Sequence, residues 1–225
     1  MLIRNLHLQT PQPDQLRSFY AERLGLQAVT ADTGDLCLRA GESLLAFRKS
    51  ETPAYYHFAF NIPFDRMQEA RLWLEDRVRL LPYMGKTLID FPNWKAQSLY
   101  FLDPAGNILE FIGRKDRGPA KGPGFSPACI ENISEIGLPV EDVEKAVALL
   151  VEKERMPQYS GSGPVFRALG DPQGLLIMVN MRTKTWFPTD KPARAFPLRA
   201  RVDLDRRTLI LRLGPEGRLH HEQEA

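Results

Sequence analysis

Residues Ser98 to Ile112 read SLYFLDPAGNILEFI, and this stretch decides most of what the chain can become. Two short apolar-rich runs flank Asp103-Pro104-Ala105-Gly106-Asn107. Proline presets φ early in such a turn and glycine supplies a left-handed residue near its end. The segment therefore predicts a hairpin between strands at Ser98 to Leu102 and Ile108 to Ile112. Side chains alternate across a strand, so Ile108, Glu110 and Ile112 share one face and Leu109 and Phe111 the other. Glu110 thus sits on a sheet face between apolar neighbours, where a carboxylate needs a cation or strong donors. The same turn chemistry recurs at Asp171-Pro172-Gln173-Gly174, which points to an internal repeat.

Outward from this hairpin one plan appears three times: an alternating strand, an amphipathic helix, then short return strands. The first copy has Leu2 to Thr10 and a helix from Pro13 to Leu24 that places Leu16, Phe19, Tyr20 and Leu24 on one side, with Gly25 as its C-terminal cap. Strands near Asp35 to Arg39 and Ser43 to Arg48 complete it. The second has Tyr56 to Ile62, a helix near Asp65 to Val78, and the Ser98 to Ile112 hairpin. The third has Ile133 to Val140, a helix from Asp142 to Lys153, and strands near Val165 to Leu169 and Leu175 to Asn180. A fourth is reduced to strands at Phe196 to Asp203 and Thr208 to Leu213. The class expected is α+β.

Three stretches lack apolar periodicity. Arg114 to Pro127 (RKDRGPAKGPGFSP) reads as an exposed linker, Lys184 to Pro197 as a second irregular segment, and Gly214 to Ala225 as a frayed tail in which His220 and His221 are solvated. The resulting division is a domain at 1–113, a linker at 114–131, a second domain at 132–213 and a tail at 214–225.

Composition narrows the class further. A length of 225 residues fits one large domain or two small ones, and 43% hydrophobic residues are enough to fill a core. Net charge is +2, and the arginines from Arg199 to Arg207 are interleaved with Asp203 and Asp205, so no nucleic-acid or membrane partner is expected. Cys37 and Cys129 are too few and too far apart for a disulfide framework or a zinc ribbon. No apolar run suits a signal peptide or a membrane span. The expectation is a cytoplasmic protein with a small-molecule partner.

Strand alternation also groups the polar residues. Asn5, His7 and Gln9 share one side of the first strand, and His57, Ala59 and Asn61 one side of the fourth. A histidine and a glutamate converging from adjacent strands is an arrangement that a divalent ion uses. The alternative is a metal-free pocket in which Glu110 accepts a hydrogen bond from His57.

Residues 1–113 resemble the vicinal-oxygen-chelate superfamily of glyoxalases, bleomycin resistance proteins and extradiol dioxygenases. The resemblance is carried by LRSFYAERLGL (Leu16 to Leu26), YYHFAFNIP (Tyr55 to Pro63) and SLYFLDPAGNILEFI, and is nearest to the predicted ring-cleaving dioxygenase branch. A weaker likeness runs from Ile133 to Val179 through EIGLPVEDVEKAVALL and LGDPQGLLIMV. It implies paired βαβββ modules forming a half-barrel cleft, followed by a degenerate second domain of the same type. It also implies a metal on the concave face, held in the dioxygenases by two histidines and a glutamate.

His57 and Glu110 fall on two of these ligand positions, and Asn5 falls on the third. A glyoxalase-type enzyme uses a glutamine amide at the matching place. His7, on the same face about 7 Å along the strand, is the other candidate for the third ligand. Fe²⁺ or Mn²⁺ would suit a dioxygenase, with Zn²⁺ or Ni²⁺ as alternatives. Tyr100 matches the dioxygenase tyrosine that hydrogen-bonds substrate. The further histidine those enzymes carry upstream is replaced by Asp90 to Lys95, where Phe91 and Trp94 offer aromatic walls.

In the second domain the matching positions carry Glu135 and Met178, with no histidine between Cys129 and Gly214. No second centre is expected there, and Glu135 is expected to face solvent or an arginine. The extra module would support the first domain or a homodimer contact. The implied function is a metalloenzyme acting on a vicinal-oxygen, catechol-like substrate by ring cleavage, or by lyase or isomerase chemistry. The competing reading is a non-catalytic small-molecule binding or resistance-type protein.

Overall fold

The computed structural model describes residues 1–30 and 34–224. The first module comprises β1 (Leu2–Thr10), α1 (Pro13–Arg17), β2 (Gln27–Val29), β3 (Leu36–Ala40) and β4 (Ser43–Lys49). The second comprises β5 (His57–Asn61), α2 (Met67–Glu75), β6 (Leu80–Leu81), β7 (Leu88–Phe91), β8 (Ala96–Leu102) and β9 (Ile108–Arg114). The third has β10 (Asn132–Val140), α3 (Val143–Glu154), β11 (Gln158–Ser160), β12 (Phe166–Asp171) and β13 (Gly174–Asn180). The fourth keeps only β14 (Leu198–Leu204), β15 (Arg207–Leu213) and β16 (Leu219–Gln223). The expected α+β class and repeated modules are what the structure shows.

Local chemistry accounts for these elements. Asp142 accepts a hydrogen bond from the Lys145 amide and starts α3 as an N-cap. The helix expected over Pro13 to Leu24 is α-helical only to Arg17, then widens into a π-type turn over Ser18–Arg23. Across α1 and this turn, Leu16, Phe19, Tyr20 and Leu24 are still buried. In the deciding hairpin Gly106 has φ of 80°, its amide donates to the Asp103 carbonyl at 2.9 Å, and the buried Tyr20 hydroxyl donates to Asp103 Oδ2 at 2.7 Å. The Asp171 turn differs: its left-handed residue is Gly170, and Gly174 is needed instead because the backbone of Met1 passes against it.

Sixteen strands among the described residues join one continuous, branched sheet. Within the first three modules the opening and closing strands pair in parallel: β1 with β4, β5 with β9, β10 with β13. Between modules, β5 runs antiparallel to β10, and β1 antiparallel to β14. The second module is therefore partnered by the third, and the first by the fourth. The pairing that builds the cleft around β5 crosses the expected boundary at 114–131.

One sheet face packs on the helices. Phe58, Phe60, Phe101, Leu109, Phe111, Ile136 and Leu138 are buried in the same core as Met67, Leu74, Val143 and Leu150, each burial contributing about 1.5–3 kcal/mol. The other face of β5, β9 and β10 carries His57, Glu110 and Glu135 beside Ala59, Ile108 and Ile112, which pack against aromatic residues from other segments. Two corrections concern the edges. Arg114, expected to open the linker, closes β9 and is 1% exposed. The expected frayed tail carries β16, and His221 Nε2 lies 2.7 Å from the buried Glu154 rather than in solvent. Ala225 lies outside the described residues. No described helix is long and apolar enough to cross a membrane.

Candidate metal centre

Parallel pairing sets His57 beside Ile108 and Ala59 beside Glu110. His57 Nδ1 is 3.1 Å from the Ile108 carbonyl oxygen, which can only accept, so this nitrogen carries the hydrogen. Burial holds the imidazole below its ordinary pKa, against the opposing pull of Glu135 and the Ile108 carbonyl. A neutral ring with Nδ1 protonated turns a bare Nε2 lone pair toward Glu110 Oε2, 3.6 Å away. This is the tautomer that metal ligation uses, with the second nitrogen anchored to backbone.

Glu135 arrives from the neighbouring module. β10 shifts register against β5 between Ile133 and Glu135, so one extra residue is accommodated there. Ile133 and Ile136 both enter the helix-side core, while Ser134 and Glu135 both turn to the opposite face. Arg114 reaches across from β9 and donates to Asn61 Oδ1 (2.8 Å), Ser134 Oγ (2.7 Å) and Glu135 Oε1. Burial, then the charge of Glu110, pushes the Glu135 carboxyl up to about 7, although Arg114 and His57 oppose this. Burial also raises Glu110, against Ser98, Tyr100 and Arg114.

Donor atoms of His57, Glu110 and Glu135 all lie within 4.8 Å of one another, and all three residues are buried. Two buried carboxylates and a lone pair face a single guanidinium. The arrangement is short of positive charge, and either a proton or a cation must make up the difference. A neutral imidazole with two carboxylates is a hard, oxygen-rich set that fits a divalent first-row ion.

Tyr100 lies directly across the β8–β9 ladder from Glu110. Burial, then the charges of Glu110 and Glu135, lifts its phenol well above the usual range, so it remains a proton donor. Its ring is stacked at 6.3 Å from that of His57. Ser98 faces the same carboxylate, yet its buried Oγ makes no well-formed hydrogen bond among the described residues.

These groups form the floor of a cavity of about 170 Å³. Its walls include Phe91, Trp94, Phe166, Trp186 and Phe187. Trp186 comes from the irregular segment after β13 and lies against Gly137, where any Cβ would collide with its ring. Phe187 follows it and packs edge-on against Tyr100 at 5.4 Å.

The sequence-derived ligand set is only partly assembled. His57 and Glu110 meet, and Tyr100 joins them. Asn5 and His7 do not line this cavity. β1 belongs to the other half-barrel, where Asn5 pairs with Leu44 and Arg201, and His7 borders a shallow surface depression with Arg48 and Arg199. Burial and Arg199 hold the His7 pKa down. Nor does Met178 occupy the closing-strand position of the third module: Ile177 and Val179 line the cavity, while Met178 is in the helix-side core. Glu135 faces an arginine as expected, but inside the cleft rather than outside it. The signal for it is the spacing Ile133, Ile136, Leu138, Val140: a gap of three before the gaps of two marks the bulge.

Repeated βαβββ modules, paired across their opening strands so that a concave face gathers His57, Glu110 and Glu135, define the vicinal-oxygen-chelate fold, and this chain has it. Among solved structures it is similar to a candidate dioxygenase from Bacillus subtilis subsp. subtilis str. 168, with a TM-score of 0.64 and 16% identity over 99% of this chain and 84% of that one. It is also similar to a glyoxalase I mutant from Zea mays, with a TM-score of 0.57 and 14% identity over 99% of this chain and 92% of that one. No family model matches the sequence, and no curated protein matches it.

Proposed function

We propose that this chain is a metal-dependent enzyme acting on a small planar substrate with two neighbouring oxygens, a catechol-like ring being the nearest specific class. The observation that carries this reading is the convergence of His57 Nε2, Glu110 and Glu135 at the floor of an aromatic-walled cavity. These three residues would hold the ion, in place of the Asn5 or His7 ligand expected from the sequence. Fe²⁺ or Mn²⁺ suits ring cleavage, and Zn²⁺ or Ni²⁺ suits lyase or isomerase chemistry. The bound ion would supply Lewis-acid polarisation of the substrate oxygens, or oxygen activation if it is iron.

The chain's own residues supply the rest. Tyr100 donates a hydrogen bond or a proton to a substrate oxygen above Glu110. Arg114 fixes the Glu135 carboxylate and favours its ionised form. Phe91, Trp94 and Phe187 stack on a ring and keep water out.

Metal analysis of purified protein, and of protein reloaded with Mn²⁺ or Fe²⁺, tests this reading. One ion per chain is expected in the unaltered protein, and none in His57→Ala or Glu110→Ala. Anaerobic iron loading followed by oxygen and catechol then separates ring cleavage from the other chemistries. One observation favours a second reading, a non-catalytic binding protein: Arg114 already pairs with Glu135 and partly neutralises the site. Protein that stays metal-free yet binds catechols would establish it.

A further inference from the structure

We infer that the cavity takes a planar aromatic ring that carries a carboxylate, and that Lys184 is the residue which selects it. This rests on the metal reading above and names the substrate class of the same site. Four ionisable groups other than tyrosine line the cavity: His57, Glu110 and Glu135 on the floor, and Lys184. Lys184 is the only lysine or arginine of the lining. Its ammonium has no ion pair or hydrogen bond among the described residues, whereas Lys95 pairs with Asp116 and Lys191 donates to the Gly106 carbonyl.

Lys184 is also held in place by its backbone. Its amide donates to the Asn180 carbonyl at 3.0 Å, and its carbonyl accepts from the Ala193 amide at 2.9 Å. This ties both ends of the segment that carries Trp186 and Phe187 into the cavity. The backbone that carries the lysine is thus fixed on the same segment that shapes the aromatic walls.

Size and charge point to the same ligand. A cavity of roughly 150 Å³ accommodates one benzene ring, and this one is about 170 Å³. With a divalent ion on the floor, the three ligands and Arg114 leave a net positive centre, and Lys184 adds a second positive point beside the aromatic walls. A ring whose oxygens meet the floor and whose substituent is anionic satisfies both. A neutral ring of the same size satisfies only the first.

The test is isothermal titration of the Mn²⁺-loaded protein under anaerobic conditions with 3,4-dihydroxybenzoate, 4-methylcatechol and catechol, repeated with Lys184→Gln and Lys184→Arg. The carboxylated ring is expected to bind about tenfold more tightly than 4-methylcatechol. Lys184→Gln should bring that ratio to about two or below, and Lys184→Arg should restore it. Metal content should be unchanged in both variants. Protein that holds metal and binds all three rings equally, or a preference that survives Lys184→Gln, overturns this inference and leaves the metal reading standing. Failure to hold metal at all, seen in the metal analysis, overturns both.

Discussion

Arg114, the last residue of β9, and Glu135, the fourth residue of β10, form a buried ion pair beneath the His57–Glu110 pair. It links the closing strand of the second module to the opening strand of the third, so the centre and the seam between modules depend on the same contact. Removing one partner of a buried pair leaves an uncompensated charge, at about 3–5 kcal/mol. At pH 8, above the Glu135 value of about 7, Arg114→Met is expected to destabilise the metal-free protein by up to that amount, measured by denaturant unfolding, and the metal-loaded protein by much less. Equal losses in the two forms would argue against a shared role in the centre.

Metal affinity should rise with pH and level off above about 7. Glu135 must lose its proton to bind, and burial with the charge of Glu110 holds that proton to about 7. Below this, affinity should fall by about tenfold per pH unit while one proton is displaced. In the metal-free protein, the Glu135 contribution to stability is complete below the ordinary carboxyl value of 4.5 and is lost as pH rises through 7. The rise in Tm on adding Mn²⁺ should therefore be larger at pH 8 than at pH 5. A pH-independent Mn²⁺ titration between pH 5 and 8 would count against Glu135 as a ligand.

Tyr100→Phe separates proton donation from metal holding. The phenol is buried opposite Glu110 and its pKa lies well above the usual range, so it serves as a donor at neutral pH. Loss of a general acid of this kind costs about 10²-fold or more in rate. The expected result is a kcat reduced by that factor, with full metal content and little change in Tm. A variant as active as the unaltered protein would reduce Tyr100 to a packing role.

Gly137 is required by the close approach of Trp186 rather than by its own backbone angles. Gly137→Val should push the indole off the strand, at about 1–3 kcal/mol for overpacking, and shift the tryptophan emission to longer wavelength. Ligand affinity should fall with it, because the displaced ring forms one wall of the cavity. Unchanged emission and affinity would mean that Trp186 does not shape the site.

Much of this was legible in the sequence because it depends on local periodicity. Alternation in Ser98 to Ile112 put Glu110 on the face away from the helices. Alternation in Tyr56 to Ile62 did the same for His57, and parallel pairing of β5 with β9 made the two neighbours. Both readings need only the two-residue repeat of a strand and the turn chemistry around Gly106. The modules themselves were visible for the same reason, down to the start of the third helix at Asp142.

The third donor was decided elsewhere. The family resemblance points to Asn5, and the shared strand face to His7, which requires the first and second modules to share a cleft. Interstrand pairing is a long-range choice that alternation does not encode, and here β5 chose β10. A one-residue bulge then turned Glu135 inward, since a strand's face assignment reverses with a single-residue slip. The wall from Trp186 and Phe187 likewise depended on a connection with no period to read. What each strand presents was local information in the chain; which strands meet was settled only when the modules packed.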